Sequence, residues 1–396
     1  MTNNSQTPSQ LLFTKLAINL DEVPIEQLSH YIAIKYYLTV EDDPPPDATN
    51  LEKVRRYLET FHHLCEVEDW DKAVLVSSFS MGNNNNLIQY NLFRQLEIWG
   101  YYSEQIQIYT NILNKERVPA NLKILAFLGL GKVYRHLADY HRAISFSQKA
   151  LALSQKISDS EGIVNALDNL GIAYVDSADF KRVGLANFKR AIDCFQESLV
   201  ISINAELFPE QAKCLGNLGY VYGKKNKFSK AIYYLEESLS IANQIGDRIL
   251  QAKALQNLGN CYVYKRDYQK AIGYFEQSLS ISKEYDNRSG EMHSLNSLGE
   301  LYRRTKQYNQ AVDCLEKSLA ITREIKEPVG EENALISLGS VYGDIGNYQQ
   351  AITYQKQALI IARKINDREG ILFAQLNLWI ANFLKFSNFW RKSNSN

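Results

Sequence analysis

An all-α chain wound into a solenoid is the fold class that this sequence predicts, and three observations carry it. A signature recurs: Gly, a Tyr three residues on, an aromatic nine on and an Ala-Ile or Ala-Val pair twelve on, beginning at Gly219, Gly259, Gly299 and Gly339. The interval between these four copies is 40 residues. Both halves of each unit place apolar residues at three- and four-residue intervals, the pattern of amphipathic helices. A chain of repeated helix pairs has no single closed core; each unit packs on its neighbours and the array presents one long continuous surface.

The elements follow in order. Residues 1–50 are expected to hold one or two helices within 8–40 and an acidic, proline-rich linker at 41–47. Residues 51–120 read as divergent repeats: Trp70 to Ala73 and Tyr102 to Gln105 keep the aromatic-to-anchor spacing, but Phe61 and Phe93 occupy the glycine slots, which implies wider helix crossings. The segment SMGNNNN (80–86) reads as a loop. Six repeats fill 121–375, anchored at Ala143, Ala191, Ala231, Ala271, Ala311 and Ala351. Seven residues after each anchor stands a small residue (Ala150, Ser198, Ser238, Ser278, Ser318, Ala358), always followed by Leu. In the copy at Gly259, helix A is expected over 248–264 and helix B over 268–284, with Gly-Asp-Arg at 246–248 and Asn-Asp-Arg at 366–368 marking boundaries between copies. Gly259 and Ala271 let the two helices approach closely, while Leu258, Tyr262, Tyr268 and Leu279 fill the remaining volume. The interval from Gly171 to Gly219 is 48, because ADFKRVGL (178–185) is followed by the similar ANFKRAID (186–193); this duplication lengthens one helix or its turn. Residues 376–396 read as a terminal capping helix, with Trp379 in the glycine slot, and a disordered tail, FWRKSNSN.

The pairing of Leu-Gly-x-x-Tyr with Tyr-x-x-Ala, best seen in ALQNLGNCYVYKRDYQKAIGYFEQSLSI, resembles the tetratricopeptide repeat. The 40-residue unit is similar to the subclass of Pins/LGN adaptors, kinesin light chains and bacterial arrays, and the same pairing argues against HEAT or armadillo repeats. The resemblance spans 123–375. It implies a right-handed superhelix whose concave groove is lined by helix A.

At about 100° per residue, offsets −6, −3, −2, +1, +4 and +5 from the signature glycine share the face opposite the core. Those offsets hold Lys132, Arg135 and His136, then Asn165, Asp168, Asn169 and Asp176, then Lys213, Asn217, Tyr220 and Lys224. Further along come Lys253, Gln256, Asn257, Asn260 and Tyr264, then His293, Asn296, Ser297, Glu300, Arg303 and Arg304, and last Asn333, Ser337, Ser340 and Asp344. The candidate peptide-binding residues are Asn169, Lys213, Asn217, Lys253, Gln256, Asn257, Asn260, His293, Asn296, Arg303, Arg304 and Asn333. Carboxamides can donate and accept at once, which suits a peptide backbone, and cations favour acidic side chains. Asn169, Asn217 and Asn257 share one register and serve either a peptide or the neighbouring repeat. The resemblance also brings a Lys/Asn clamp for C-terminal carboxylates, but Gln256 and Leu128 stand where it needs other residues, so that activity is not expected.

Lys+Arg and Asp+Glu are both 44, giving no net charge and no generic attraction to nucleic acid or lipid. Five widely spaced cysteines form no disulfide or metal pattern, and no apolar run is long enough to span a membrane. The start is a poor secretory signal, so a cytoplasmic protein is expected. No HExxH, Walker A, GxGxxG or GxSxG motif occurs, and no catalytic residue, metal or cofactor is expected. The preferred function is an interaction adaptor that captures an Asp/Glu-bearing protein segment. A regulatory sensor, with the 41–47 linker as a possible self-inhibitor in one variant, and an accessory subunit of a separately encoded enzyme are the alternatives. Partner identity and oligomeric state stay open.

Overall fold

The computed structural model describes residues 7–40, 44–45, 48–79, 91–98, 101–177, 182–325, 327–365 and 367–393, of which 98, 182–185 and 388–393 are described by backbone alone. The 41–47 linker (all but 44–45), the 80–86 loop and the first half of the duplication at 178–181 lie outside the described residues, as does position 366 of the last boundary triplet. Among the described residues there is no β-strand. The N-terminal helices are α1 (Pro8–Leu16), α2 (Leu28–Thr39), α3 (Asn50–Glu66), α4 (Trp70–Ser78), α5 (Leu92–Ile98) and α6 (Tyr102–Asn114). Antiparallel pairs follow: α7 (Ala120–His136) with α8 (Tyr140–Lys156), α9 (Ser160–Asp176) with α10 (Arg182–Asn204), and α11 (Phe208–Lys224) with α12 (Phe228–Gln244). Then come α13 (Arg248–Tyr264) with α14 (Tyr268–Glu284), α15 (Arg288–Arg304) with α16 (Tyr308–Glu324), and α17 (Pro328–Ile345) with α18 (Tyr348–Ile365). A long α19 (Arg368–Ser393) packs on α18 and α17.

The repeat signature translates into one crossing used again and again. A Cβ on Gly171, Gly219, Gly259, Gly299 or Gly339 would lie 2.4–2.5 Å from a side chain of the paired helix: Phe195, Leu235, Phe275, Leu315 or Gln355. At Gly219 and Gly299 it would also stand 3.1 and 3.2 Å from the carbonyl of the anchor Ala231 or Ala311. All six anchor alanines are buried. The signature Tyr stacks on a helix B aromatic, as in Tyr222–Tyr234 (5.5 Å), Tyr262–Tyr274 (5.4 Å) and Tyr342–Tyr354 (5.5 Å between centroids).

The small residue seven after the anchor does more than leave room. Ser238, Ser278 and Ser318 donate their hydroxyls to the carbonyls of Ala212, Ala252 and Met292 on the paired helix A, at 2.7, 2.9 and 3.1 Å. Each bond ties an otherwise buried polar group across the hairpin. Ser198 reaches the equivalent Val164 carbonyl at 3.4 Å despite the inserted residues. The insertion is absorbed in α10, which has 23 residues where α12, α14 and α16 have 17, so the crossing keeps its register.

At the N-terminal end, aromatic rings replace close backbone approach. Phe61 and Phe93, both buried, meet edge to face at 5.3 Å inside a core that runs from Leu12 to Leu130. At the other end the structure corrects the sequence reading: α19 continues to Ser393, so residues 389–393 of the expected tail are helical. The five cysteines are unpaired; burial raises the thiol pKa values, Cys65 to about 12 and Cys261 to about 11, which suits packing rather than reactivity.

One buried group sits badly. Glu332 on α17 is 1% exposed, and neither carboxyl oxygen has a hydrogen-bond partner among the described residues. The equivalent slots of other copies hold Ala212, Ala252 and Met292. Burial, reinforced by Asp367, raises the Glu332 pKa to about 8.

Two tests follow from this packing. Gly259→Ala should destabilise the fold by about 1–3 kcal/mol in urea unfolding. Gly273→Ala, whose Cβ would meet nothing within 4 Å, should leave stability unchanged or raise it by up to about 1 kcal/mol; equal losses from both would refute the crossing. Because the folded pKa of Glu332 lies above its unfolded value, the fold binds this proton more tightly. Its stability contribution is intact below about pH 4.5 and declines as pH rises through about 8. Thermal melts of Glu332→Met should lose that decline; an unchanged pH profile would count against a buried, protonated Glu332.

Candidate binding groove

Helix A of the later pairs turns its −6 position away from the core, whereas in α7 that position is Leu125, packed on the N-terminal core. Lys253, His293 and Asn333 at this position are exposed, and Lys213 is partly exposed with its ammonium 3.0 Å from Glu210. Lys253 has no carboxylate within salt-bridge distance among the described residues. Asn217, Asn257, Asn260 and Asn333 make no hydrogen bond among the described residues, and Asn217 is only 4% exposed. The Asn296 side-chain oxygen is buried without a partner.

Other candidates are already engaged in joining repeats. Asn169 donates to the Leu128 carbonyl of the preceding helix A at 3.2 Å. Gln256 donates to the Ser297 hydroxyl at 2.8 Å and accepts from Ser294 at 3.0 Å. Arg303 bridges Glu300 (2.8 Å) to Asp344 on α17 (2.6 Å), just as Arg135 reaches Asp176 on α9 at 3.2 Å. Arg304 also leans on Glu300, at 3.2 Å. The charge of the groove is therefore not uniform: Arg303 and Arg304 on α15 and Lys213 on α11 are compensated, whereas Lys224 on α11 and Lys253 on α13 have no carboxylate within salt-bridge distance among the described residues.

The spiral brings distant helices face to face. Lys253 on α13 feels Arg135 and Lys132 on α7 and Lys213 on α11, although α13 does not pack on α7. Groups on helices that do not touch can interact in this way only across the concave space between them. Confinement within that space lowers the Lys253 pKa; Arg135 adds to the effect, Asp168 opposes it, and Lys213 and Lys132 add again. The His293 pKa falls to about 4, through desolvation and then through His136, Arg135 and Lys253, so its imidazole is neutral near pH 7. On the opposite wall Glu97 is held ionised: Lys132 at 3.9 Å, His136 at 3.7 Å and Arg135 outweigh its desolvation.

Asp168 anchors this wall from behind. It is buried, accepts from Ser198 Oγ at 3.1 Å and Cys214 Sγ at 3.5 Å, and burial raises its pKa to about 6. The last repeats also close on the first: Glu327 ahead of α17 is within electrostatic range of Arg135 and Tyr102, and Asp367 ahead of α19 of Tyr140. Periodicity placed Lys132, Arg135 and His136 on the groove face, and Glu97, four residues after Phe93 in a divergent glycine slot, falls on the same face; it gave no sign of Tyr102, which stacks on His136, or of Glu327, which reaches it through the curvature of the array. Among the described residues no group of three His, Cys, Asp or Glu side chains could hold a metal, and no helix is long and apolar enough to cross a membrane.

Tetratricopeptide-repeat family models match residues 123–182, 234–284 and 250–324, and a second such model matches 212–245. This is a tetratricopeptide-repeat protein. A model of anaphase-promoting complex subunit 5 also matches, over 293–387. No curated protein matches the chain. Solved structures share the fold along most of its length. A Rap protein complexed with competence and sporulation factor matches at a TM-score of 0.53 and 15% identity, covering 96% of this chain and 98% of that one. The APC/C hetero-tetramer Cut9-Hcn1 gives 0.52 at 16% identity, covering 93% and 67%. A signal-transduction ATPase with a tetratricopeptide-repeat sensor from Pyrococcus horikoshii gives 0.51 at 16% identity, covering 96% and 60%. The tetratricopeptide array is thus a right-handed α-solenoid, and such an array is a scaffold for protein interaction.

Proposed function

We propose that this tetratricopeptide protein is a non-enzymatic adaptor that holds an acidic segment of a partner protein in its concave groove. The observation that supports this reading most directly is Lys253: exposed to solvent, without a carboxylate in salt-bridge distance among the described residues, beside Lys213 on the adjacent helix A and facing Arg135 across the lumen. Like charges gathered in a confined space repel, and a bound carboxylate relieves that repulsion while gaining charge-assisted hydrogen bonds. The carboxamides of Asn217, Asn257, Asn260 and Asn333, together with neutral His293, offer donors and acceptors for the backbone of the same segment. Arg303 and Arg304, being engaged with Glu300, add field more than contact.

A labelled peptide of alternating Asp and Glu serves as the probe in fluorescence anisotropy. Lys213→Glu combined with Lys253→Glu should weaken its binding by about tenfold or more, with the wild-type affinity falling as salt rises. Helix content should not change. An affinity that both charge reversals leave intact would remove the groove assignment.

A regulatory reading is favoured by the contacts between the first and last repeats. The proximity of Glu327 to Arg135 and of Asp367 to Tyr140 means that an occupant neutralising Arg135 and Lys253 alters the balance holding the two ends at their present separation. The Rap protein of the same fold was solved with competence and sporulation factor bound, and a peptide ligand of this chain is proposed to act on its pitch. Small-angle scattering with and without the acidic probe should show a changed radius of gyration; an unchanged radius at saturation favours the passive adaptor.

A further inference from the structure

The terminal helix α19 carries its amphipathic pattern the wrong way round for a cap. Small residues face the protein: Ala374 is fully buried and Ala381 packs with Ala351 and Ile352 of α18. Large apolar residues face water instead: Leu372, Leu376, Trp379, Phe383 and Phe386 are 65%, 50%, 65%, 58% and 68% exposed. At 100° per residue these five fall within an arc of about 80°, at alternating four- and three-residue steps. Phe373, Ile380 and Leu384 widen the stripe. A repeat array whose end is left in water needs a polar outer face there, and α19 offers the opposite.

Trp379 rules out the close crossing that the other repeats use at this position. Every earlier helix A from α9 to α17 has glycine in this slot, with a side chain of its helix B filling the Cβ position. An indole in the same place holds any neighbour farther away. The seam suits a helix that interdigitates with it at coiled-coil distance, not one that nestles against a glycine.

We propose that this face is the interface of a homodimer, formed by antiparallel packing of α19 against α19 of a second copy. The order Leu372, Leu376, Trp379, Phe383, Phe386 is self-complementary about its centre. A two-fold axis at Trp379 sets Leu372 against Phe386 and Leu376 against Phe383 of the partner copy, so each outer level joins one Leu to one Phe, on either side of a central Trp379 pair. Parallel packing would crowd Phe on Phe at one end and leave Leu on Leu at the other. The eight apolar side chains expose on the order of 800 Å² per copy, taking about 150–250 Å² for each large side chain and their fractional exposure. That matches the roughly 800 Å² that each partner contributes to a stable interface of standard size and exceeds the apolar patches of ordinary monomers.

Sedimentation and light scattering of the full chain test the proposal. The expected species has twice the 45.4 kDa chain mass. Trp379→Glu and Leu376→Arg, both at exposed positions that leave the contacts with α18 intact, should each raise the dimer dissociation constant by about 100-fold or more. Their circular dichroism should match the wild type. On mild oxidation, Leu372→Cys mixed with Phe386→Cys should cross-link, whereas Leu372→Cys alone should not. A wild-type chain that stays monomeric at about 100 μM, above the range in which interfaces of this area dissociate, overturns the proposal and assigns the face to a different partner. A dimer that survives both charged variants overturns it as well, and self-cross-linking of Leu372→Cys overturns the antiparallel arrangement.

Discussion

The close crossing of helix A over helix B is the constraint on which the rest of this structure depends. Its parts are a glycine that leaves room for a Phe, Leu or Gln of the paired helix, a buried alanine anchor whose carbonyl lies against that glycine at Gly219 and Gly299, and, in the middle units, a serine hydroxyl bonded back to helix A. A missing Cβ, a small side chain and one satisfied polar group define the hairpin angle more tightly than the larger residues around them, because backbone approach tolerates no adjustment while side chains change rotamer. The insertion before α10 shows the order of priority: the helix grows at its free end and the crossing is untouched.

Once that angle is set, the polar face of helix A has only one place to go. Repeated in one direction, the hairpins put it on the inner wall of the spiral, where charges on separate helices meet. Part of this charge is used to tie neighbouring units, through Arg135 with Asp176 and Arg303 with Asp344. Lys253 is left without a carboxylate in salt-bridge distance among the described residues and is held near Arg135, Lys213 and Lys132 by the scaffold. Stacking energy from the hairpins sustains this repulsion, and the same preorganisation lowers the cost of binding an anionic segment. Lys253 and His293 stand exposed on this inner wall, where the proposed segment would lie.

The two ends of the array depart from the rule in opposite senses. Near the N terminus, Phe61 and Phe93 occupy glycine slots and their rings meet inside a single contiguous core, so these helices behave as a conventional globular layer attached to the solenoid. In α19 the aromatic in the same slot stacks on Phe383 of its own helix and stays largely exposed. The chemistry of the substitution is alike; what differs is whether another helix covers the ring.

The sequence by itself determined the class of fold, the repeat length and the start and end of individual helices: the helices read over 248–264 and 268–284 are those of α13 and α14. These depend on local periodicity and on small residues at fixed spacing, and both are visible one unit at a time. It also placed Lys213, Lys253 and His293 on the exposed face of helix A, because that face follows from 100° per residue. Only the tertiary structure decided which of the twelve candidates are available. Asn169, Gln256, Arg303 and Arg304 are engaged, three of them with partners one repeat away, whereas Asn217 and Asn257 in the register of Asn169 are not. Nor could periodicity show that Glu327 approaches Arg135 of the first repeat. Its proximity sums many small rotations between successive hairpins, and a sum over the whole array is not encoded in any one repeat.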